Sequence, residues 1–246
     1  MFLGENARNH PVPTDTLAVV GAAGGAGTTR VALESATLLA REGRDVALLD
    51  AAVSTQGLAD HTPGRINPDM TALCVDDHPL ETGLLDRTLD GAGRLAVCPA
   101  RAPFERIARA KTPEAAEAFA DHVAAAARSF DHVLVDVPPV AANQAVAAVT
   151  AVEAAALVAD APRAGDVLPR ARDRLLDLGV EPTATVVTGT DQHREGDVAL
   201  PTLAADPPAV ESSAEARAKV ADVLAAALGV DVASDDGPGL REKLSL

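Results

Sequence analysis

Short, almost uniformly apolar segments recur along this chain, separated by stretches of helical periodicity, and that alternation limits the folds open to it more than any other feature. Residues 16–21 (TLAVVG), 45–50 (DVALLD), 94–100 (RLAVCPA), 132–139 (HVLVDVPP), 154–160 (AAALVAD) and 183–189 (TATVVTG) read as strands, and 196–201 (GDVALP) as a short final one. A strand with one wet face alternates apolar and polar residues; these do not, so both their faces are covered. Residues 28–43, 112–130, 164–179 and 212–228 read as helices, and another is expected within the irregular middle segment at 80–89. Thr112, Pro113 and Glu114 stand in the order of a helix N-terminus, and Gly43 stops the first helix. Pro169 is expected in a first turn or at a kink. The pattern predicts one α/β domain over 15–230, a mostly parallel sheet with helices on both faces. A flexible leader is expected at 1–14 and a loose tail at 231–246.

Composition narrows the partners. The 246 residues carry a net charge of −15, and lysine occurs only at Lys111, Lys219 and Lys243. Nucleic-acid binding draws on lysine and arginine to displace counterions; no basic run and no aromatic platform is present, so no nucleic-acid binding is expected. An acidic, lysine-poor surface suits a salt-rich cytoplasm, where ionic strength screens self-repulsion. Cys74 and Cys98 form no paired motif and read as small core residues of a reducing compartment. The six histidines show no metal-ligand spacing. No signal peptide or bilayer-length apolar run is evident, which predicts a cytoplasmic protein. The tail offers Leu240, Leu244 and Leu246 beside Arg241 and Lys243, too little apolar face or charge for a membrane-targeting helix.

The first strand runs into GAAGGAGTTR, residues 21–30. Gly24, Gly25 and Gly27 free the backbone to wrap its N–H groups around an anion, and the following helix adds unpaired amides and its dipole. Thr28 and Thr29 offer hydroxyls. Taken alone, the loop is equally compatible with a tight strand-to-helix turn that binds nothing, because position 28 is not lysine. Asp50 and Asp136 end two strands and are expected at the same sheet edge, where ligands of such folds bind.

VVGAAGGAGTTRVALESATLLAREGRDVALLD, then RLAVCPA, FDHVLVDVPP, AAALVADAP and TATVVTG, resembles in its order the ParA/MinD family of P-loop ATPases over residues 16–228. The resemblance implies a P-loop NTPase-like fold, a site for ATP or ADP with Mg²⁺, and a role in chromosome partitioning or division-site placement through protein partners. It places the nucleotide on Gly24, Gly25, Ala26, Gly27, Thr28, Thr29 and Arg30, with Thr188 at the adenine. It places Mg²⁺ on Thr29 and Asp136, and Asp50 at the first catalytic aspartate.

The same comparison marks losses. Ala23 stands at the family's signature lysine, Thr28 at its phosphate-binding lysine, and Ala52 at its second aspartate. Phosphoryl transfer depends on positive charge aimed at the departing phosphate, so a degenerate member with poor or absent hydrolysis is expected. It would partner an intact relative or a second copy of itself. Two alternatives stay open: an active ATPase with a rearranged site, rescued by Arg30 or by Arg65 or Arg101 from a loop, and an interaction scaffold that binds no nucleotide.

Overall fold

The computed structural model describes residues 15–232. The expected leader, and the expected tail from 233 onward with its leucines, lie outside the described residues. Eight strands form one sheet: β1 (Asp15–Gly21), β2 (Asp45–Asp50), β3 (Leu85–Arg87), β4 (Arg94–Cys98), β5 (His132–Val137), β6 (Ala154–Asp160), β7 (Ala184–Thr188) and β8 (Val198–Leu200). Their order is β3-β4-β2-β5-β1-β6-β7-β8. The edge pair β3–β4 is antiparallel and the other pairs are parallel. The helices are α1 (Thr28–Arg41), α2 (Gly57–Asp60), α3 (Met70–Asp76), α4 (Phe104–Arg109), α5 (Pro113–Ala127), α6 (Asn143–Thr150), α7 (Ala164–Asp177) and α8 (Ala214–Leu228).

Successive strand residues feed two cores, as the pleat requires. Leu17, Val19, Leu48 and Leu134 pack with α1 and α8. Ala18, Val20, Leu49, Val133 and Val135 pack on the other face with α3, α5, α6 and α7. This double cover is why the strands lack polar alternation. Thr112 caps α5 through its side chain, with Pro113 in the first turn. Cys98 is buried and Cys74 partly so, both as free thiols. Val232, at the start of the expected tail, is buried against the α1/α8 core.

The middle of the chain differs from its expectation. In place of a helix over 80–89 stand a single 3-10 turn (Leu80–Thr82) and β3. A Cβ on Gly83 would come within 2.7 Å of Leu73 and 3.1 Å of Cys98. The chain thus crosses α3 and β4 too closely for a helix, and contact with β4 turns it into an edge strand. Pro169 lies beyond the first turn, inside a helix that runs unbroken from Ala164 to Asp177.

Helix α1 buries even polar residues, because the sheet covers one side and α8 with the β8–α8 connection covers the other. Glu34 is fully buried. It accepts the N–H groups of Ala209 (2.7 Å) and Val210 (3.0 Å) and Arg30 Nε–H (2.6 Å). Arg30 Nη2 donates to the Ala204 carbonyl at 2.7 Å. Replacing Glu34 by alanine strands two buried amides and a guanidinium. Glu34→Ala is expected to destabilise the fold by about 3–5 kcal/mol, and Glu34→Gln, which keeps an acceptor, by less. Urea denaturation checks both; a loss below about 1 kcal/mol for the alanine variant would show that the connection is held by other contacts.

Candidate functional site

The parallel register sets the site. Val19 of β1 and Asp50 of β2 both pair with Asp136 of β5, so the glycine loop leaves β1 beside both carboxylates. Ala22 N–H donates to the Val158 carbonyl at 2.8 Å, which ties the start of the loop to β6. Gly25 (φ +77°) and Gly27 (φ +83°) take left-handed conformations that side chains rarely adopt. Gly27 caps α1 without a side-chain acceptor, so no side chain caps the first-turn amides.

Two side chains orient the loop from outside. Arg163 Nη2 donates to the Gly24 carbonyl at 2.9 Å, and Thr188 Oγ1 to the Ala26 carbonyl at 2.9 Å. Across a planar trans peptide, C=O and N–H point opposite ways. The N–H groups of Gly25 and Gly27 are thereby turned away from Arg163 and Thr188. Arg163 is itself held by Asp160 Oδ1, 2.7 Å from its Nε.

Between the loop and the β2–α2 connection lies a cleft of about 350 Å³. Its polar lining is Thr28, Thr29, Arg30, Thr55, His61 and Asp136, and Ala23 to Gly27, Ala52, Gly57 and Val137 to Pro139 complete its walls. Thr29 Oγ1 donates to Asp136 Oδ2 at 2.6 Å. Gly57 opens α2 against Thr29: a Cβ there would come within 3.1 Å of the Thr29 hydroxyl.

The remaining expected residues take different places. Asp50 is fully buried behind the cleft rather than lining it. Its carboxylate accepts Ala52 N–H (2.8 Å) and Ala100 N–H (3.0 Å), joining the ends of β2 and β4. Ala52 puts a methyl group in the cleft wall. The Thr28 hydroxyl folds back over Gly21, 2.7 Å from where a Cβ would stand. Arg30 reaches the lining, but its guanidinium is engaged by Glu34 and the Ala204 carbonyl. Thr188 lies behind the loop as one of its ties. Arg65 and Arg101 do not line the cleft. The cleft is thus rich in amides and hydroxyls, and neither Ala23 nor Thr28 brings an ammonium.

Burial pushes the Asp136 carboxyl up to about 6, against the opposing pull of the Thr29 hydrogen bond. Burial, and then the Asp136 charge, pushes Asp50 up to about 8. Among the described residues no group of three or more His, Cys, Asp or Glu side chains could hold a metal by itself. The Thr29 hydroxyl and Asp136 carboxylate are hard oxygen donors. That pair fits Mg²⁺, which takes few protein ligands and completes its shell with phosphate and water.

Sequence reasoning missed Arg163, Thr55, Gly57 and His61. Arg163 follows the β6 carboxylate Asp160 by three residues, a spacing that pairs them on one turn. His61 had no spacing signal, because the cleft it lines is assembled from segments far apart in sequence.

A glycine loop between a central parallel strand and its helix, beside a part-buried hydroxyl–carboxylate pair, is the arrangement of a P-loop NTPase-like fold. Within that class the fold is that of the MinD and ParA-type proteins. MinD of Pyrococcus horikoshii, solved with Mg-ADP, is similar with a TM-score of 0.62 and 19% identity, over 84% of this chain and 77% of that one. A plasmid partition protein of Borrelia burgdorferi gives 0.64 and 14%, over 87% and 99%. Cobyrinic acid a,c-diamide synthase of Mycobacterium smegmatis, solved with an ATP analogue and magnesium, gives 0.64 and 17%, over 89% and 98%. No protein-family model and no curated protein matches the sequence. Among the described residues no helix is long and apolar enough to cross a membrane.

The two raised carboxyls fix a pH dependence. A group whose folded pKa exceeds its unfolded value favours the fold when protonated. That contribution is full below pH about 4 and is lost as pH rises, through about 6 for Asp136 and about 8 for Asp50. Asp136→Asn removes one of the two. Between pH 5 and 8, urea titrations are expected to show the metal-free variant losing less stability than the natural chain, by on the order of 2 kcal/mol. Parallel curves would show that Asp136 is not under this strain.

Proposed function

We propose that this chain binds an adenine nucleotide with Mg²⁺ at the glycine loop and hydrolyses it poorly or not at all. It would act in the cytoplasm through a protein partner, an intact ParA/MinD-like relative or a second copy, in chromosome partitioning or division-site placement. The observation that carries the reading is the outward pinning of the Gly24 and Ala26 carbonyls beside the Thr29–Asp136 pair. Such a loop presents amides to an anion without rearranging first, and preorganised dipoles bind charge at little reorganisation cost. Thr29 and Asp136 would hold Mg²⁺. When bound, the ion supplies positive charge to the phosphate oxygens. The loop amides orient the phosphates, and Pro138 and Pro139 wall the cleft.

Slow chemistry follows from the charges absent at positions 23, 28 and 52. A cation at the transferring phosphate is worth about 10³–10⁵ in rate, judged from arginine fingers, and Arg30, at the cleft lining, is paired with the buried Glu34 carboxylate. The fold neighbours named for septum-site determination and plasmid partition support the spatial role, and the nucleotides solved with two of them support the ligand.

Calorimetry in molar KCl is expected to show saturable, Mg²⁺-dependent binding of ADP with ATP turnover near background. Thr28→Lys adds an ammonium at a position that lines the cleft. It is expected to tighten binding by about ten- to a hundredfold, the worth of one charge-assisted hydrogen bond. No heat at millimolar ADP would leave the scaffold reading in its place. Steady turnover abolished by Asp136→Ala would establish the active ATPase instead.

A further inference from the structure

The cleft has an amide-rich wall made by the glycine loop, and facing it a wall contributed by the β2–α2 connection and α2. An anion seated on the first wall gains from a cationic donor on the second. Lysine is absent from both. Arg30 spends its Nε and Nη2 on Glu34 and the Ala204 carbonyl. The other side chain lining the cleft that can carry positive charge is His61.

His61 is placed by its backbone. Its N–H donates to the Leu58 carbonyl at 3.1 Å, and its carbonyl accepts from Arg87 Nη1 of β3. Thr62 closes the same turn by donating to the Leu58 carbonyl at 2.9 Å, and Leu58 is fully buried. Gln56 fastens the start of the segment to the Val53 and Ala102 carbonyls. These hydrogen bonds fasten the short turn, while no hydrogen bond or ion pair among the described residues engages the His61 ring. The half-buried imidazole therefore lines the cleft, across from the anion cradle, with neither nitrogen spent on the protein.

We propose that His61 is the phosphate-contacting cation of this cleft, donating a ring N–H to an anionic oxygen seated on the glycine loop. This rests on the nucleotide-binding reading for the identity of the ligand, but not for the presence of an anion site. The charges around the ring explain why it waits for one. Burial, with Arg30 of α1 and Arg87 of β3, disfavours the imidazolium, while Asp60 of α2 and Glu34 of α1 oppose them; Asp136 of β5 lines the cleft as well. An anion between His61 and the loop relieves the repulsion from the two guanidiniums, so binding takes up a proton at His61.

Pyrophosphate without metal serves as a base-free probe and ADP with Mg²⁺ as the nucleotide probe, both titrated by calorimetry in molar KCl. The His61 ring is followed by NMR. Taken as a ratio to His61→Lys at each pH, which cancels the probe's own ionisation, the natural chain's pyrophosphate affinity is expected to rise as pH falls from 8 to 6, by no more than about tenfold per unit for one proton, and the His61 ring resonances to shift toward the protonated form on binding. His61→Gln is expected to weaken binding by about tenfold or more and to flatten its pH profile. His61→Lys is expected to retain binding, with only the pH dependence that the probe's own ionisation gives. Thermal melts of the variants without ligand control for folding.

If both probes bind the natural chain while the His61 resonances stay put and His61→Gln binds equally, the proposal falls and the nucleotide reading stands. If pyrophosphate binds through His61 while ADP with Mg²⁺ does not bind, the nucleotide reading falls and the proposal stands. If neither probe binds, both fall.

Discussion

A 2.6 Å hydrogen bond from Thr29 to Asp136 joins the first turn of α1 to the end of β5, across more than a hundred residues of sequence. The site depends on that tie. It sets the N-terminus of α1 against the sheet, and Gly57 then packs on Thr29 to bring α2 alongside. The buried Asp136 charge is costly alone, and the hydroxyl offsets part of that cost. The remainder shows in its raised pKa, which is the condition of a carboxylate awaiting a cation.

The loop above this tie is held by side chains behind it. Arg163 and Thr188 capture carbonyls, and the planarity of the peptide makes each capture also an orientation of the next amide. A lysine reaching over such a loop would contribute charge directly. Here the arginine acts one bond removed, through the backbone, and Asp160 neutralises it where it stands. The loop can therefore keep its shape without keeping the charge that accelerates phosphoryl transfer. Shape and catalytic charge are separable in this fold, since the first comes from peptide dipoles and the second from side chains at positions 23 and 28.

The sheet was legible because its strands are long enough and buried enough to drop polar alternation; β5, buried throughout as HVLVDV, shows it most plainly. The glycine loop, Thr29 and Asp136 were legible because register carries the ends of adjacent parallel strands to one edge. What stayed hidden depends on tertiary approach. α2, α3 and α4 have four, seven and six residues, too few turns to show a period, and β3 forms only because β4 offers an edge. Arg30 read as a candidate rescuer of the site, yet Glu34, one turn on, and the carbonyl of Ala204 claim it. That rival lies 174 positions away in sequence. His61 carried no motif at all; its role comes from which wall its turn is fastened to.

The acidic composition sharpens the argument about charge. In a chain of net charge −15, an anionic ligand approaches against the field of the whole molecule, and molar salt screens that field over a few ångströms. Direct contacts inside the cleft leave no room for an intervening ion and are screened much less, so local donors decide binding. Asp50 and Glu34 illustrate the complementary economy. Each buried carboxylate accepts two backbone amides, at Ala52 and Ala100 or at Ala209 and Val210. A carboxylate held this way fastens segments together by spending its acceptors. Asp50, placed at the sheet edge by register, is fully buried on its two amides and works as a strut behind the site, while Asp136, with Thr29, faces the cleft.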